Sequence, residues 1–525
     1  MTIKQLIGLT FLLFITWSVN VYHEGVLPPP NVSAANAEGE WIDKAKFGIH
    51  QLILKGNAYG RGLKSGELTA PLLRLQEQEL TTKLFEHIPE SVVKILEIPL
   101  ISYFRGIEKF VEPWMLEEMY GVSKSAPKEF DSLIDSYTRQ LAYHGVHEVG
   151  QMMVDQGGDD MGCTVVAAPV GKSWVLGRNF DFEGGQTLDR EKILKWVFPD
   201  NGYAFVSVIW AGMVGAVTAV NEQGIYLSIN AAGSADHRRI GIPTTLLLLK
   251  TLMMSKNAEE AINILRSEPT FITDIFVLLD SRAGKLYRIE KSPLATEVIP
   301  LTAPSVVTNH LISPRFAEDR VNQMRMKELT STARSQRGEA LLKDPVFSKA
   351  NTAAQLELPI LKIIRDKDDL HLGNRKAIDA LIAVHAVVFN GQDQVLFVSQ
   401  GPALAGPFVG FDLKKSFAEK RPMFARVLPR ELSDEKFDAV RASGQMLKLV
   451  AGEIKTNHCD DARAQLEQVP YKESFNFSEA MGDFHDACGK DRSGAKEMWQ
   501  QALDRSPAYA KEEERIRKKL EREAL

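Results

Sequence analysis

Hydrophobic and polar positions divide this chain into stretches of different texture. An apolar run from Leu6 to Val21 follows Lys4 and gives way to a polar, proline-bearing stretch from Pro28 to Asn36. From about Trp41 to Gly162 the spacing is mostly helical. Leu72 to Leu84 and Asp131 to Met153 carry apolar residues at helical intervals, and Pro113 and Pro127 separate shorter pieces between them. Between Cys163 and about Leu413 the runs become short and strand-like: Tyr203 to Trp210, Val214 to Val220, Ile225 to Ile229, Ile275 to Leu279 and Val306 to Thr308. Many are apolar throughout, which predicts strands buried on both faces. Two helices interrupt them, Pro243 to Met254 and Ala258 to Leu265, the second capped by Asn257 with Glu259 and Glu260 in its first turn. Ala383 to Phe389 and Val395 to Ser399 predict a hairpin across Asn390-Gly391. Strands flanked by helices on both sides of the sequence predict a layered α+β domain.

Two further stretches carry less pattern. Ala333 to about Asp369 is rich in charge and reads as helix or as an excursion from the core, and after Pro429 the chain is polar and helical to its end. The resulting divisions are 1–37, a helical segment 38–162, a central domain 163–430 and a helical tail 431–525. In the tail, Ala495, Trp499, Ala502 and Pro507 have the spacing of the second helix of a tetratricopeptide repeat; the alternative is a helix that packs Trp499 onto the central domain. Upstream, Gly56-x-x-Tyr59-x-x-Gly62-x-x-x-Gly66 predicts a turn at which backbones pass closely.

Composition narrows the classes. With 525 residues, 44% hydrophobic and 25% charged, the chain supports a full core. A formal charge of -5 with scattered Lys and Arg gives no nucleic-acid footprint. The run Leu6–Val21 reads as an export signal or an anchor that associates residues 4–21 with a membrane; its 16 residues are interrupted by Thr10, Thr16, Ser18 and Asn20. The protein is therefore expected outside the cytoplasm, secreted, periplasmic or lumenal, or anchored facing outward.

Three cysteines are too few for a disulfide scaffold in an exported chain of this size. If Cys459 and Cys488 pair, Cys163 is left over as a candidate reactive thiol. The alternatives are three free thiols, or a tail zinc site drawing on His458 and His485. His144 and His147 lie three apart, and no third ligand accompanies them.

Cys163 has the most informative surroundings. A polar, glycine-rich approach, Asp155 to Gly162, precedes it, and Cys163–Val170 with Ser173–Leu176 predict a hairpin across Gly171-Lys172. The hairpin's exit, Arg178-Asn179-Phe180-Asp181, brings an arginine and a carboxylate back toward the cysteine. An adjacent cation favours the thiolate, the reactive form.

These residues resemble the N-terminal nucleophile hydrolases of the choloylglycine hydrolase and penicillin acyltransferase type, a group that includes acid ceramidase. Gly162-Cys163-Thr164 followed by Gly177-Arg178-Asn179-x-Asp181 is similar to the opening motif. Ala211-Gly212-Met213-Val214-Gly215, Asn221-Glu222-x-Gly224-Ile225, Ser228-Ile229-Asn230, Val307-Thr308-Asn309-His310 and Ser399-Gln400-Gly401-Pro402 follow in the family's order. The resemblance spans roughly residues 50 to 413 and implies a four-layer αββα sandwich. It also implies cleavage of the Gly162–Cys163 bond by the chain itself, with Cys163 as the new N-terminal nucleophile. The freed α-amine, with a reference pKa of about 7.7 to 8.0, then serves as its base.

In that scheme Asp181 orients the amine and Arg178 stabilises the thiolate. Asn230 and Asn309 supply an oxyanion hole, although a main-chain N–H beside Asn230 is able to fill that role. Arg320 resembles a family arginine, with Arg315 and Arg325 competing for the position. The implied substrate is a small amide, an acylated amine or lipid, and the implied reaction needs no cofactor and no metal. Two other readings stand beside it. One is a thiol protease using His310 or His385 as base, and the other is a non-catalytic envelope protein whose tail binds a partner.

Overall fold

A computed structural model describes residues 27–87, 106–131, 134–145, 148, 151, 161–183 and 186–522. Two sheets form its centre. The larger runs in the order β1 (Ala37–Ile42), β2 (His50–Gly56), β5 (Ile193–Pro199), β6 (Phe205–Ile209), β7 (Thr218–Asn221), β8 (Ile225–Ala231), β9 (Asp274–Asp280), β10 (Lys285–Lys291) and β11 (Thr296–Leu301). The smaller runs β12 (Ser305–Val307), β3 (Met161–Val170), β4 (Ser173–Phe182), β13 (Ala383–Asn390), β14 (Val395–Ser399), β15 (Phe408–Asp412) and β16 (Phe424–Leu428). All pairings are antiparallel except β2 with β5.

Period-two alternation builds the layers. On β3, Val165 and Ala167 join Trp196, Tyr226, Phe389 and Phe411 in a core between the sheets, while Val166 and Ala168 face the opposite way. Helices α1 (Ala58–His87), α2 (Pro113–Ser123), α3 (Ser136–His144), α4 (Thr244–Met254) and α5 (Ala258–Ser267) include those that cover the larger sheet. There Leu246, Leu248 and Met119 pack on Leu227 and Ile229. On the smaller sheet α6 (Arg320–Glu328), α7 (Ser331–Leu341) and α8 (Ala354–Ile364) follow β12, and Leu356, Ile360 and Ile364 of α8 pack on Val166, Val175 and Val388. The four layers and the hairpin across Asn390-Gly391 are present as expected.

The N-terminal segment is not helical from its start. Its residues 37–42 and 50–56 are β1 and β2, and β2 is inserted between β1 and β5 with Gln51 to Leu54 buried on both faces. A run that short has no period to separate strand from helix, so only pairing decides it. The glycine spacing does mark a close backbone approach, made by crossing helices rather than by a turn. A Cβ on Gly62 of α1 would lie 2.0 Å from the Glu118 carbonyl oxygen on α2. Asp135 caps α3 through Tyr137 N and Thr138 N, and much of the remaining stretch to Met153, His147 included, lies outside the described residues. The Leu6–Val21 run also lies outside them. Among the described residues no helix is long and apolar enough to cross a membrane.

The tail consists of α9 (Asp434–Lys455), α10 (Cys459–Gln468), α11 (Phe475–Phe484), α12 (Arg492–Asp504) and α13 (Ala510–Glu521). Trp499 packs within it, against Gly482 and with its indole N–H on Asp483 Oδ1 at 2.9 Å, and its cluster takes in Leu329 of the central domain. Cys459 and Cys488 form a disulfide, which removes their sulfurs from any zinc site and leaves Cys163 free. The bond closes a loop with a sequence separation of 29. A Cys459→Ser, Cys488→Ser chain is therefore expected to lose about 3 to 4 kcal/mol, read as a lower thermal transition.

Candidate active site

Cys163 lies near the N-terminal end of β3, paired with Phe180 on β4, and its neighbour Gly162 is paired with Asp181. Its parity with Val165 turns the thiol into the space between the sheets, where it is 1% exposed. On its other side β3 pairs with β12, Val165 opposite Val307, so that the chain continuing through Thr308 and Asn309 passes Cys163. The Cys163 main-chain N–H donates to Asn309 Oδ1 at 2.9 Å.

Arg178 is the cation beside the sulfur, with Nη2 4.0 Å from Sγ. Its guanidinium is completely buried and fixed on three sides: it donates to Thr218 Oγ1, to the Ile229 carbonyl and to His385 Nε2 at 3.1 Å. Burial nevertheless pushes the Cys163 thiol up. Arg178 opposes that, Asp181 adds to it, and the Ala231 main-chain N–H and Arg334 oppose it. In the intact chain the cysteine is thus a protonated thiol, and the arginine alone does not overcome the loss of water.

Asp181, on the outer face of β4 across from Gly162, is pushed from 3.8 to about 7, first by burial and then by Asp379; Arg334, Arg375 and Arg178 hold it down. Its Oδ1 is buried without a hydrogen-bond partner. Because the folded-state value is raised, folding is favoured most below pH 3.8, and this contribution is lost as pH rises toward 7. Thermal unfolding of the intact chain between pH 5 and 8 is expected to show this loss, and Asp181→Asn to flatten it.

Arg334 of α7 occupies the position expected for Arg320. Its Nη1 donates to the Cys163 carbonyl at 2.6 Å and to Thr164 Oγ1 at 2.7 Å, and its Nη2 donates to Asn309 Oδ1 at 2.7 Å. Arg320 instead opens α6 as an exposed residue, Arg315 pairs with Asp236, and Arg325 packs on Gly233. The break at Leu329-Thr330, where one helix stops and the next begins, is the sequence signal that separates Arg320 from Arg334.

The two asparagines also differ from expectation. Asn230 Nδ2 donates to the carbonyls of Val307 and Thr308, both at 3.1 Å, and Asn309 Nδ2 donates to the Ala231 carbonyl at 2.9 Å. These bonds tie β8 to the end of β12; they use both N–H groups of the Asn230 amide and one of the two on Asn309. Besides Arg178, the Ala231 main-chain N–H reaches the sulfur. The histidines are engaged elsewhere. Arg178 can only donate, so His385 Nε2 accepts and its ring proton sits on Nδ1, while His310 Nδ1 contacts Ser331 Oγ at 2.8 Å. Burial lowers both histidine pKa values, that of His310 to about 4. His144 is likewise structural, with Nε2 accepting from Val214 N at 2.9 Å.

Residues 168–359 match the family described as acyl-coenzyme A:6-aminopenicillanic acid acyl-transferase. That segment is less than half of the chain. It contains Arg178, Asp181, Asn230, Asn309 and Arg334 and begins five residues after Cys163. The chain is also 21% identical over 421 residues to protein dcd1A of Dictyostelium discoideum, covering 70% of this chain and 86% of that one. Among solved structures it is similar to a Caenorhabditis elegans N-acylethanolamine-hydrolyzing acid amidase ortholog, at 15% identity and a TM-score of 0.31 over 44% of this chain and 93% of the other. It is similar also to a penicillin V acylase from Agrobacterium tumefaciens, at 14% and 0.31 over 52% and 99%. A conjugated bile acid hydrolase mutant from Clostridium perfringens gives 13% and 0.34 over 51% and 98%.

Proposed function

We propose that this protein is an autoprocessed cysteine amidohydrolase or acyltransferase. The observation that carries the reading is the setting of the one free cysteine. Its main-chain nitrogen is held by Asn309 Oδ1, its sulfur lies 4.0 Å from the Arg178 guanidinium, and Asp181 stands across from Gly162. In processing, the Cys163 sulfur adds to the Gly162 carbonyl carbon as the thiol proton leaves. The C–N bond breaks, and the nitrogen takes a proton to become an α-amine. Water then hydrolyses the Gly162 thioester, leaving a carboxylate and the free thiol. In turnover, the α-amine accepts the thiol proton and the sulfur adds to a substrate amide carbonyl. The amine leaves with that proton, and water or a second amine takes the acyl group from Cys163. In this reading the Ala231 N–H donates to the developing oxyanion, and Asp181, next to the new terminus, holds the ammonium form.

An amide joining an acyl chain to a non-peptide amine is the substrate class in view. The apolar run Leu6–Val21 and the tail disulfide support an exported protein. Intact-mass measurement of the mature protein is the test: two fragments joining at Gly162–Cys163 are expected, and a single full-length chain that hydrolyses amides would exclude the processing step.

A further inference from the structure

Residues 365–382 link α8 to β13 and pack beside the catalytic strand. Asn179, between Arg178 and Asp181 on β4, pins both ends of this loop: its Nδ2 donates to the Ile364 carbonyl at 2.8 Å and the Ile378 carbonyl at 2.9 Å. Inside the loop, Asp379 is buried and accepts from Lys367 Nζ at 3.2 Å and Leu381 N at 3.0 Å, while Arg375 pairs with Glu183. The tip is held from the tail. Leu372 N donates to the Tyr471 hydroxyl at 2.8 Å, Asn374 Nδ2 donates to the Ser506 carbonyl at 2.8 Å, and the His371 ring lies 5.6 Å from Phe475. A Cβ added to Gly373, which sits at φ 81°, would lie 3.0 Å from Val440 Cγ1 of α9, so the tip is closely enclosed. The tail approaches the site at a second place, where Tyr509 interacts electrostatically with Arg334 and Leu329 packs into the Trp499 cluster. The loop and the tail both lie beyond residue 359, where the family match ends.

We propose that the helical tail is a positioning element of the active site: Tyr471, Phe475 and Ser506 hold the tip of loop 365–382 so that Asp379 and Arg375 stay packed beside Asp181. Its catalytic consequence rests on the function proposed above. Asp181 faces Arg334 of α7, Asp379 and Arg375 of the loop, Arg178 of its own strand and Cys163 of β3. Burial is the largest influence on it and Asp379 adds repulsion, both favouring the protonated acid. Loosening the loop admits water and removes Asp379, so Asp181 titrates lower; losing Arg375 works the other way but against the larger effect of burial.

The test uses full-length Tyr471→Phe, which keeps the ring and deletes one hydrogen bond, together with Asn374→Ala and Asp379→Asn. Hydrogen–deuterium exchange of residues 365–382 is read beside the pH profile of turnover of a fluorogenic acyl-aminocoumarin amide. Tyr471→Phe is expected to raise exchange in the loop about fivefold, the worth of one net hydrogen bond, Asn374→Ala, which also deletes contacts to His371 and Lys376, to raise it more, and both to move the acid limb to lower pH. Asp379→Asn is expected to move the limb in the same direction. Unchanged exchange in both clamp variants, or an acid limb that none of the three moves, would overturn the proposal. If the wild-type chain neither processes nor turns over the amide, the functional reading fails, and the exchange measurement alone decides whether the tail holds the loop.

Discussion

A Cys163→Ala chain is expected to remain at full precursor mass and to lose amide turnover by about 10⁴-fold or more, because one atom is assigned both bond-breaking steps. The substitution is structurally mild. Cys163 is buried and its sulfur takes one main-chain N–H, from Ala231, and a long contact with Arg178, so the folded state is expected to survive and the loss to be chemical. Circular dichroism and thermal unfolding on the same sample separate the two. A Cys163→Ala chain that still splits before residue 163 would remove the thiol from the processing step. Cys163→Ser is the informative companion: a hydroxyl keeps the geometry, and slow processing with poor turnover is the expected pattern.

Substitution of Arg334 is expected to have the second largest effect, and a different signature. Its guanidinium joins Cys163, Thr164 and Asn309 in one buried network and is the leading charge that holds Asp181 down. Arg334→Gln leaves the Cys163 carbonyl and Asn309 Oδ1 short of a donor and Asp181 short of a counter-charge. The expected cost is about 3 to 5 kcal/mol, seen as a lower thermal transition. Any residual turnover is expected to carry its acid limb to higher pH, opposite to the shift expected for the tail variants. Arg334→Lys keeps the charge but cannot reach three acceptors with one ammonium, so it is expected to restore the limb more than the stability. Equal stability of Arg334→Gln and wild type would show that this network is not what orders the site.

How far the site was legible can be followed residue by residue. Cys163, Arg178 and Asp181 lie on one hairpin, and strand periodicity with a two-residue turn fixes their relative places; the structure brings them together. Asn309 was legible as a residue at the site only through the resemblance of Val307-Thr308-Asn309-His310 to the family motif, and its chemical part was not legible. Whether its amide faces an oxyanion or a neighbouring strand depends on where β8 ends relative to β12, a contact between distant segments. Arg334 was missed in favour of Arg320 because several arginines fall within one charged stretch. Only the helix break at Leu329 and the packing of α7 on β12 and β3 choose among them.

The same division holds for the fold. Short apolar runs and turn residues are local signals, and by themselves they determined the strand-rich centre, its two covering helices, the Cys163 hairpin and the polar helical tail. Strands that are recognisable only by their partners, β1 and β2 in the N-terminal segment above all, were decided by tertiary pairing, because β2 is a short run buried on both faces and β1 a short, mostly exposed one, and neither has a period of its own. Charge states were decided there as well. The sequence placed a cation beside a cysteine and implied a thiolate, whereas the folded, intact chain removes water from both and keeps the thiol protonated. Sequence spacing determines which groups can meet; the three-dimensional packing sets how dry their meeting place is, and that dryness decides which of them carries the proton.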